Sequence, residues 1–228
     1  MNGEFSRARA AWSMRQALLV VLGINTLQLG LYSTGLAVFD NLKSFVIFNA
    51  VDALLYIGGI YLFIRLKAKS GWAELGLTGR KLSRSMLMGI LTGLVSAIIV
   101  LAVGTLIVQV LGREPQIQPV EKIAKQAVNF WQIALFIFAG SVLAPFKEEL
   151  VFRGFLYPSM RDRFGVTWGI ILTAAFFAML HGDLIRFIPL LIGGIVLNLL
   201  YQQTGSLYSP VVAHGVWNGV MSLLTFWG

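Results

Sequence analysis

Long apolar runs, separated by short clusters of basic residues, govern what this chain can fold into. A helix crossing the roughly 30 Å hydrocarbon core of a bilayer takes about 20 residues. Seven stretches reach or approach that length: residues 16–38, 45–64, 86–111, 131–158, 167–181, 184–202 and 206–227. A soluble domain is about one quarter charged, whereas here 57% of residues are apolar, 12% are charged and the mean hydropathy is +0.78. Water cannot be the solvent for so much apolar side chain, because a folded chain must still cover itself with polar surface. The expected fold class is an all-α polytopic membrane protein of about seven transmembrane helices. No internal repeat or second domain interrupts it, so residues 1–228 are read as one membrane domain.

The charges set the expected orientation. Basic residues in short loops mark the cytoplasmic side. With the N-terminus inside, Arg7, Arg9, Arg15, Arg65, Lys67, Lys69, Arg80, Lys81, Arg84, Arg161 and Arg163 all fall on the cytoplasmic face. Only Lys43, Arg113, Lys122, Lys125 and Arg186 fall on the other. The net charge of +8 is thereby explained by topology, and nucleic acid is not expected as a partner. The first run is too long for a signal-peptide core and lacks a small-residue cleavage site, so a retained helix is expected. The loop from Lys67 to Ser85 reads either as an amphipathic piece on the membrane surface or as a solvated basic linker. In the loop from Gly112 to Asn129, Pro115 and Pro119 disfavour helix near the start. The absence of cysteine excludes disulfides, thiolate metal sites and a cysteine nucleophile.

Ionisable residues inside a membrane helix are costly enough to be functional candidates by default. The densest set is Lys147-Glu148-Glu149-Leu150-Val151-Phe152-Arg153. Glu149 and Arg153 share a helix face and can pair, whereas Glu148 is turned about 100° away and stays free. A charged stretch ending in Gly165 suits a helix stop, so the fourth and fifth spans form a hairpin. About that turn Glu148 and His181 are equidistant and should face each other. In the last span His214 and Asn218 lie four apart on one face, while Gly215 and Gly219 form a strip that admits another helix closely.

Two acids, two histidines and an asparagine in a membrane cavity suit amide hydrolysis by activated water. That reaction needs a base for the water, donors for the oxyanion and an acid for the leaving amine. Glu148 with His181 could activate the water, and His214 with Asn218 could stabilise the oxyanion. Alternatively, Glu148, His181 and His214 could ligate zinc, which lowers the pKa of a bound water. A small proton-coupled transporter would instead use Asp52, Glu148 and His181 as a relay. Asp52, an acid within the second span, is left unexplained by the hydrolytic reading.

Glu148-Glu149-x-x-x-Arg153, Phe177-x-x-x-His181 and His214-x-x-x-Asn218 resemble, in order, the three motifs of the CAAX prenyl protease and bacteriocin-processing family of intramembrane proteases. The resemblance covers residues 130–225, the family's catalytic half, and leaves 1–129 as N-terminal helices and loops. It implies an intramembrane endopeptidase with a cytoplasm-facing conical cavity. It assigns Glu148 and His181 to catalysis, His214 and Asn218 to the oxyanion, and Glu149 and Arg153 to supporting roles. The implied substrate is a membrane-associated or C-terminal CAAX-like peptide, prenylated or not, at a bacterial or archaeal cell membrane. A fold-sharing immunity or peptide-binding protein without turnover is the alternative. The family's metal use does not decide between activated water and zinc.

Overall fold

A computed structural model describes residues 9–33, 41–79, 81–113 and 119–227. Among these the regular elements are helices: α1 (Met14–Ser33), α2 (Leu42–Leu66), α3 (Leu82–Leu111), α4 (Pro119–Ala124), α5 (Phe130–Phe138), α6 (Ala144–Glu149), α7 (Tyr157–Met179), α8 (Leu184–Thr204) and α9 (Tyr208–Trp227), with one 3₁₀ turn at Trp72–Leu75. The chain is an all-α polytopic membrane protein. Five helical stretches are long and apolar enough to cross a bilayer: Met14–Leu31, Leu42–Leu66, Leu82–Leu111, Phe130–Met179 and Leu184–Thr204. Leu91, Val95 and Ile98 are exposed along α3, as lipid-facing side chains are.

The fourth stretch holds two of the expected spans. Gly165, at φ 80° and ψ 170°, breaks it in a conformation that side chains with a Cβ avoid. Beyond it the chain returns on itself, so closely that a Cβ on Gly169 would lie 2.7 Å from the Arg161 Cα. The hairpin turn is therefore where the sequence put it. α9 forms over the seventh expected span, its apolar character diluted by Ser209, His214, Asn218 and Ser222. The first span was expected to reach residue 38; α1 is described to Ser33, and residues 34–40 lie outside the described residues.

Local sequence explains the helix ends. Asn41 and Ser44 cap α2 reciprocally, and Asp183 starts α8 by accepting from the Ile185 and Arg186 amides at 2.9 and 3.3 Å. Gly205, at φ 63°, ends α8. The two loops are more structured than expected where they are described, and Pro115 lies outside the described residues. Leu75 is fully buried and the Leu207 amide donates to the Gly76 carbonyl at 2.9 Å, so one side of the Trp72–Leu75 turn is anchored to the bundle, while Ala73 and Glu74 stay exposed. Pro119 opens the short helix α4, because the first helical position needs no amide proton.

α3 packs most intimately on α9. Gly89 and Gly93 carry that contact, since a Cβ on them would meet the Ser209 carbonyl at 2.7 Å and the Ala213 carbonyl at 2.5 Å. Gly215, expected to admit a neighbour, does so from the opposite side: a Cβ there would lie 2.5 Å from the Ser141 carbonyl. At Gly219 the nearest atom would be the Ser141 Oγ at 3.9 Å. These paired distances give a matched test. Gly215→Ala is expected to lower stability in detergent by about 1–3 kcal/mol through overpacking, while Gly219→Ala leaves it unchanged or gains a few tenths from helix propensity, at most about 1 kcal/mol. Thermal melts of the two variants side by side check this.

Candidate active site

Two widened helical turns bracket the acidic pair. Residues Ala139–Leu143 and Leu150–Leu156 bond their amides five residues back, as in Ala144 N–H to the Ala139 carbonyl and Tyr157 N–H to the Phe152 carbonyl. Each is followed closely by a proline, Pro145 and Pro158. Proline has no amide proton, so the carbonyl four residues earlier loses its partner, and π-type turns relieve this while marking functional segments. Around Pro145 the consequence is concrete. The Asn218 Nδ2 donates to the Gly140 carbonyl at 2.9 Å, and the Ser141 carbonyl lies against Gly215. The first widened turn is thus docked onto the face of α9 that carries His214 and Asn218.

The expected Glu149–Arg153 pair forms. Both residues are fully buried, and Arg153 Nη1 donates to Glu149 Oε1 at 2.9 Å. Arg153 Nη2 donates to the Gly194 carbonyl at 3.1 Å, and the guanidinium lies 4.9 Å from the Phe177 ring centroid. A buried ion pair survives only when such added contacts offset desolvation. A third partner was not foreseen: His214 Nδ1 lies 2.7 Å from the same Glu149 Oε1. An ionised carboxylate only accepts, so Nδ1 carries the proton and Nε2 faces the other way. Trp217 backs the imidazole at 5.4 Å between ring centroids, in space left by Gly193, where a Cβ would lie 2.5 Å from the indole.

Glu148 is the freer acid, as its helix position implied. Its nearest charged neighbours are Lys147 Nζ, 3.8 Å from Oε1, and His214 Nε2, 3.9 Å from Oε2. Both distances exceed a direct hydrogen bond. His181 does not meet Glu148 in a direct bond. Its Nδ1 is satisfied by the Phe177 carbonyl at 2.9 Å, which leaves Nε2 for chemistry. Phe177 connects the two histidines, its ring centroid 4.8 Å from that of His181 and 5.7 Å from that of His214.

A cavity of about 590 Å³ reaches the His181 and Asn218 side of this site, lined also by Gly140 and Trp217 and by Glu121 and Arg186, while Glu148 and His214 lie behind that wall. Those last two form an ion pair at 2.6 Å between α4 and α8. The cavity lies where α8 begins and α3 and α9 end, the opposite end of the bundle from the Arg161–Arg163 turn. Among the described residues no three His, Asp or Glu side chains gather as a metal-holding group. Glu148, His181 and His214 are therefore not drawn together as a three-ligand set in this arrangement, while the Glu149 bond to His214 Nδ1 leaves Nε2 as the open nitrogen of that ring.

The arrangement joins residues that the sequence left apart. Lys147 Nζ meets Asp52 Oδ2 at 2.5 Å, giving the unexplained acid of the second span a partner. Once Glu149 and Arg153 are paired, Asp52 and Lys147 are leftover intramembrane charges of opposite sign, a signal from which the contact could have been read.

Set against known proteins, the C-terminal part of the chain that builds this site carries the likeness. Residues 130–220 match the family described as Type II CAAX prenyl endopeptidase Rce1-like. That range runs from the start of α5 into α9 and includes all seven named residues of the three motifs, so the resemblance drawn from them is upheld. The chain is 35% identical over 95 residues to "Membrane-embedded CAAX protease MroQ" of Staphylococcus aureus (strain USA300), covering 39% of this chain and 38% of that protein. It is 23% identical over 86 residues to "Putative membrane peptidase YdiL" of Bacillus subtilis (strain 168), covering 38% of this chain and 35% of that protein. The matched region thus spans little more than a third of either curated relative. No solved structure matches the chain significantly.

Proposed function

We propose that this protein is an intramembrane endopeptidase that hydrolyses peptide bonds with water activated by Glu148. The observation that carries the reading is the division of labour between the adjacent acids. Glu149 is bonded to Arg153 and His214, while Glu148 faces the same imidazole with no direct hydrogen bond of its own. A base must be free to take a proton, and a group that organises its neighbours must not move.

In the proposed step Glu148 takes a proton from water as the water oxygen bonds to the substrate carbonyl carbon. The carbonyl oxygen becomes the oxyanion. When the C–N bond breaks, the proton passes to the leaving amine, with His181 Nε2 as the other group able to hold or deliver it. Asn218 keeps one amide proton for the oxyanion after the other has gone to Gly140, and that bond fixes the amide's direction. His214 donates from Nε2 only as the imidazolium, with Glu149 set against its far side. Asn218→Ala is expected to lower kcat by about 10²- to 10³-fold, the usual effect of losing one oxyanion donor. A change confined to KM would place Asn218 in substrate binding instead.

The substrate class we propose is a peptide held at or in the bilayer, of the C-terminal CAAX type, prenylated or not. The likeness of residues 130–220 to the endopeptidase family supports it, as does the largely apolar wall of the cavity. The test is cleavage of a quenched-fluorescence panel of prenylated and unprenylated C-terminal peptides by detergent-purified protein, with metal content measured on the same sample. Cleavage supports the reading, and the metal measurement shows whether an ion accompanies it. No cleavage of any peptide would turn the assignment toward a peptide-binding or immunity protein of this fold.

The side from which substrate enters is open to direct measurement. The loop-charge bias assigns the cavity end to the outer face, whereas the family resemblance implies a cytoplasm-facing cavity. Since the chain has no cysteine, Thr225→Cys at the cavity and Arg163→Cys at the opposite turn can each carry a single thiol. Labelling of Thr225→Cys by an impermeant maleimide in intact cells upholds the charge bias, and labelling only after permeabilisation upholds the cytoplasmic opening.

A further inference from the structure

Asp52 and Lys147 form a charge pair that the proposed chemistry does not use. Asp52 stands in the middle of α2 and Lys147 on α6, immediately before Glu148, and the two meet at 2.5 Å within the bundle. Both side chains are largely withdrawn from solvent, with 5% and 16% exposure. The ammonium also lies 3.8 Å from Glu148 Oε1, so it sits between two carboxylates and bonds directly to one. Its other neighbour is the Tyr56 ring, 6.0 Å from Nζ to the centroid. On its far side, Glu148 faces the His214 Nε2 at 3.9 Å.

In an environment of low dielectric an ammonium does not stay unpaired. If Asp52 did not hold Lys147, the nearest alternative is Glu148, only 1.3 Å beyond hydrogen-bond contact by the difference of the two distances, 3.8 and 2.5 Å. A carboxylate closed in an ion pair is a poorer proton acceptor than a free one. We propose that Asp52 is a positioning residue for Glu148: it holds the Lys147 ammonium on the α2 side, so that the carboxylate beside it is not closed in a direct hydrogen-bonded ion pair and is able to accept a proton. This rests on the endopeptidase reading for its consequence in catalysis, though the placement of the ammonium can be read without it. It also accounts for an acid within the second span without a transport relay, since Asp52 is occupied by a cation rather than linked to His181.

The test is a charge-swap cycle on the full-length protein, using a peptide of the panel that the wild type cleaves. Asp52→Asn keeps the shape and removes the charge that holds Lys147, and is expected to lower kcat by about tenfold or more with KM changed less than about twofold. Adding Lys147→Gln to that variant removes the intruding ammonium and is expected to bring kcat back to within about threefold of wild type. A purely structural role for the pair predicts the reverse ordering, with the double variant no better than Asp52→Asn, and that result overturns the proposal. Full activity of Asp52→Asn overturns it too.

A second readout does not need a substrate. A hydrophobic carbodiimide reacts with a carboxyl that can take up a proton, and its adduct at Glu148 is located by peptide mass mapping. Labelling of Glu148 is expected to slow in Asp52→Asn and to recover in the double variant. Equal labelling in all three proteins overturns the proposal. If the wild type cleaves none of the panel, the endopeptidase reading falls, and the labelling arm still reports where the ammonium sits. Should Asp52→Asn fail to fold, Asp52→Ser with and without Lys147→Gln repeats the cycle with the charge removed by a smaller polar side chain, and equal labelling of Glu148 in that pair likewise overturns the proposal.

Discussion

Glu148→Gln is expected to reduce peptide cleavage by 10³-fold or more, to the floor of the assay, while the melting temperature stays close to wild type. The substitution keeps the side chain's shape and removes its ability to accept a proton, and general base catalysis alone contributes about 10²- to 10⁴-fold. Stability should be spared because Glu148 accepts no direct hydrogen bond: its flanking cations lie at 3.8 and 3.9 Å. The same change one residue later is the control. Glu149→Gln replaces the acceptor shared by Arg153 and His214 and should lower stability as well as rate. Purified protein, one cleaved peptide and a thermal melt distinguish the two. If Glu148→Gln keeps appreciable activity, the base lies elsewhere and the division of labour between the acids is wrong. If Glu148→Gln and Glu149→Gln lose stability equally, Glu148 is a structural residue.

The parts of this molecule that were legible in the sequence are those set by short-range periodicity. The Glu149–Arg153 pair follows from a spacing of four, the freedom of Glu148 from a turn of about 100°, and the hairpin at Gly165 from a glycine behind a charged stretch. What stayed hidden depends on elements meeting through space. His214 was read as a free donor, yet its Nδ1 belongs to Glu149, 65 residues earlier. Asp52 and Lys147 are 95 residues apart, and no local pattern aligns α2 with α6. Glu148 and His181 are near enough to interact electrostatically, as their equal spacing from the hairpin implied, but the widened turn at Leu150–Leu156 and the bond of His181 Nδ1 back to its own helix at Phe177 could not be read from that spacing. The burial of Leu75 was equally unreadable, because only the fold shows that Tyr201 and Leu207 wait beneath Gly76.

Arg153 ties Glu149, the Gly194 carbonyl and Phe177 together in the buried centre, which makes it the position where loss should cost the fold most. Arg153→Ala is expected to destabilise the protein by about 3–5 kcal/mol, the range for removing one partner of a buried ion pair. Glu149 would be left fully buried with its charge unopposed except by His214, the Gly194 carbonyl would lose its donor, and the face of Phe177 its cation. Because Phe177 also touches both histidines, cleavage should fall with stability. Removing both charges separates these effects. Glu149→Gln with Arg153→Met keeps the volume but buries no ion, and such replacements are often neutral or stabilising, so the double variant should melt well above Arg153→Ala. It should still cleave poorly, since nothing then holds the His214 proton on Nδ1. Recovery of both stability and rate would mean that the pair only packs the bundle. Recovery of stability alone would mean that evolution keeps a costly buried charge here because it fixes the direction in which His214 meets the substrate.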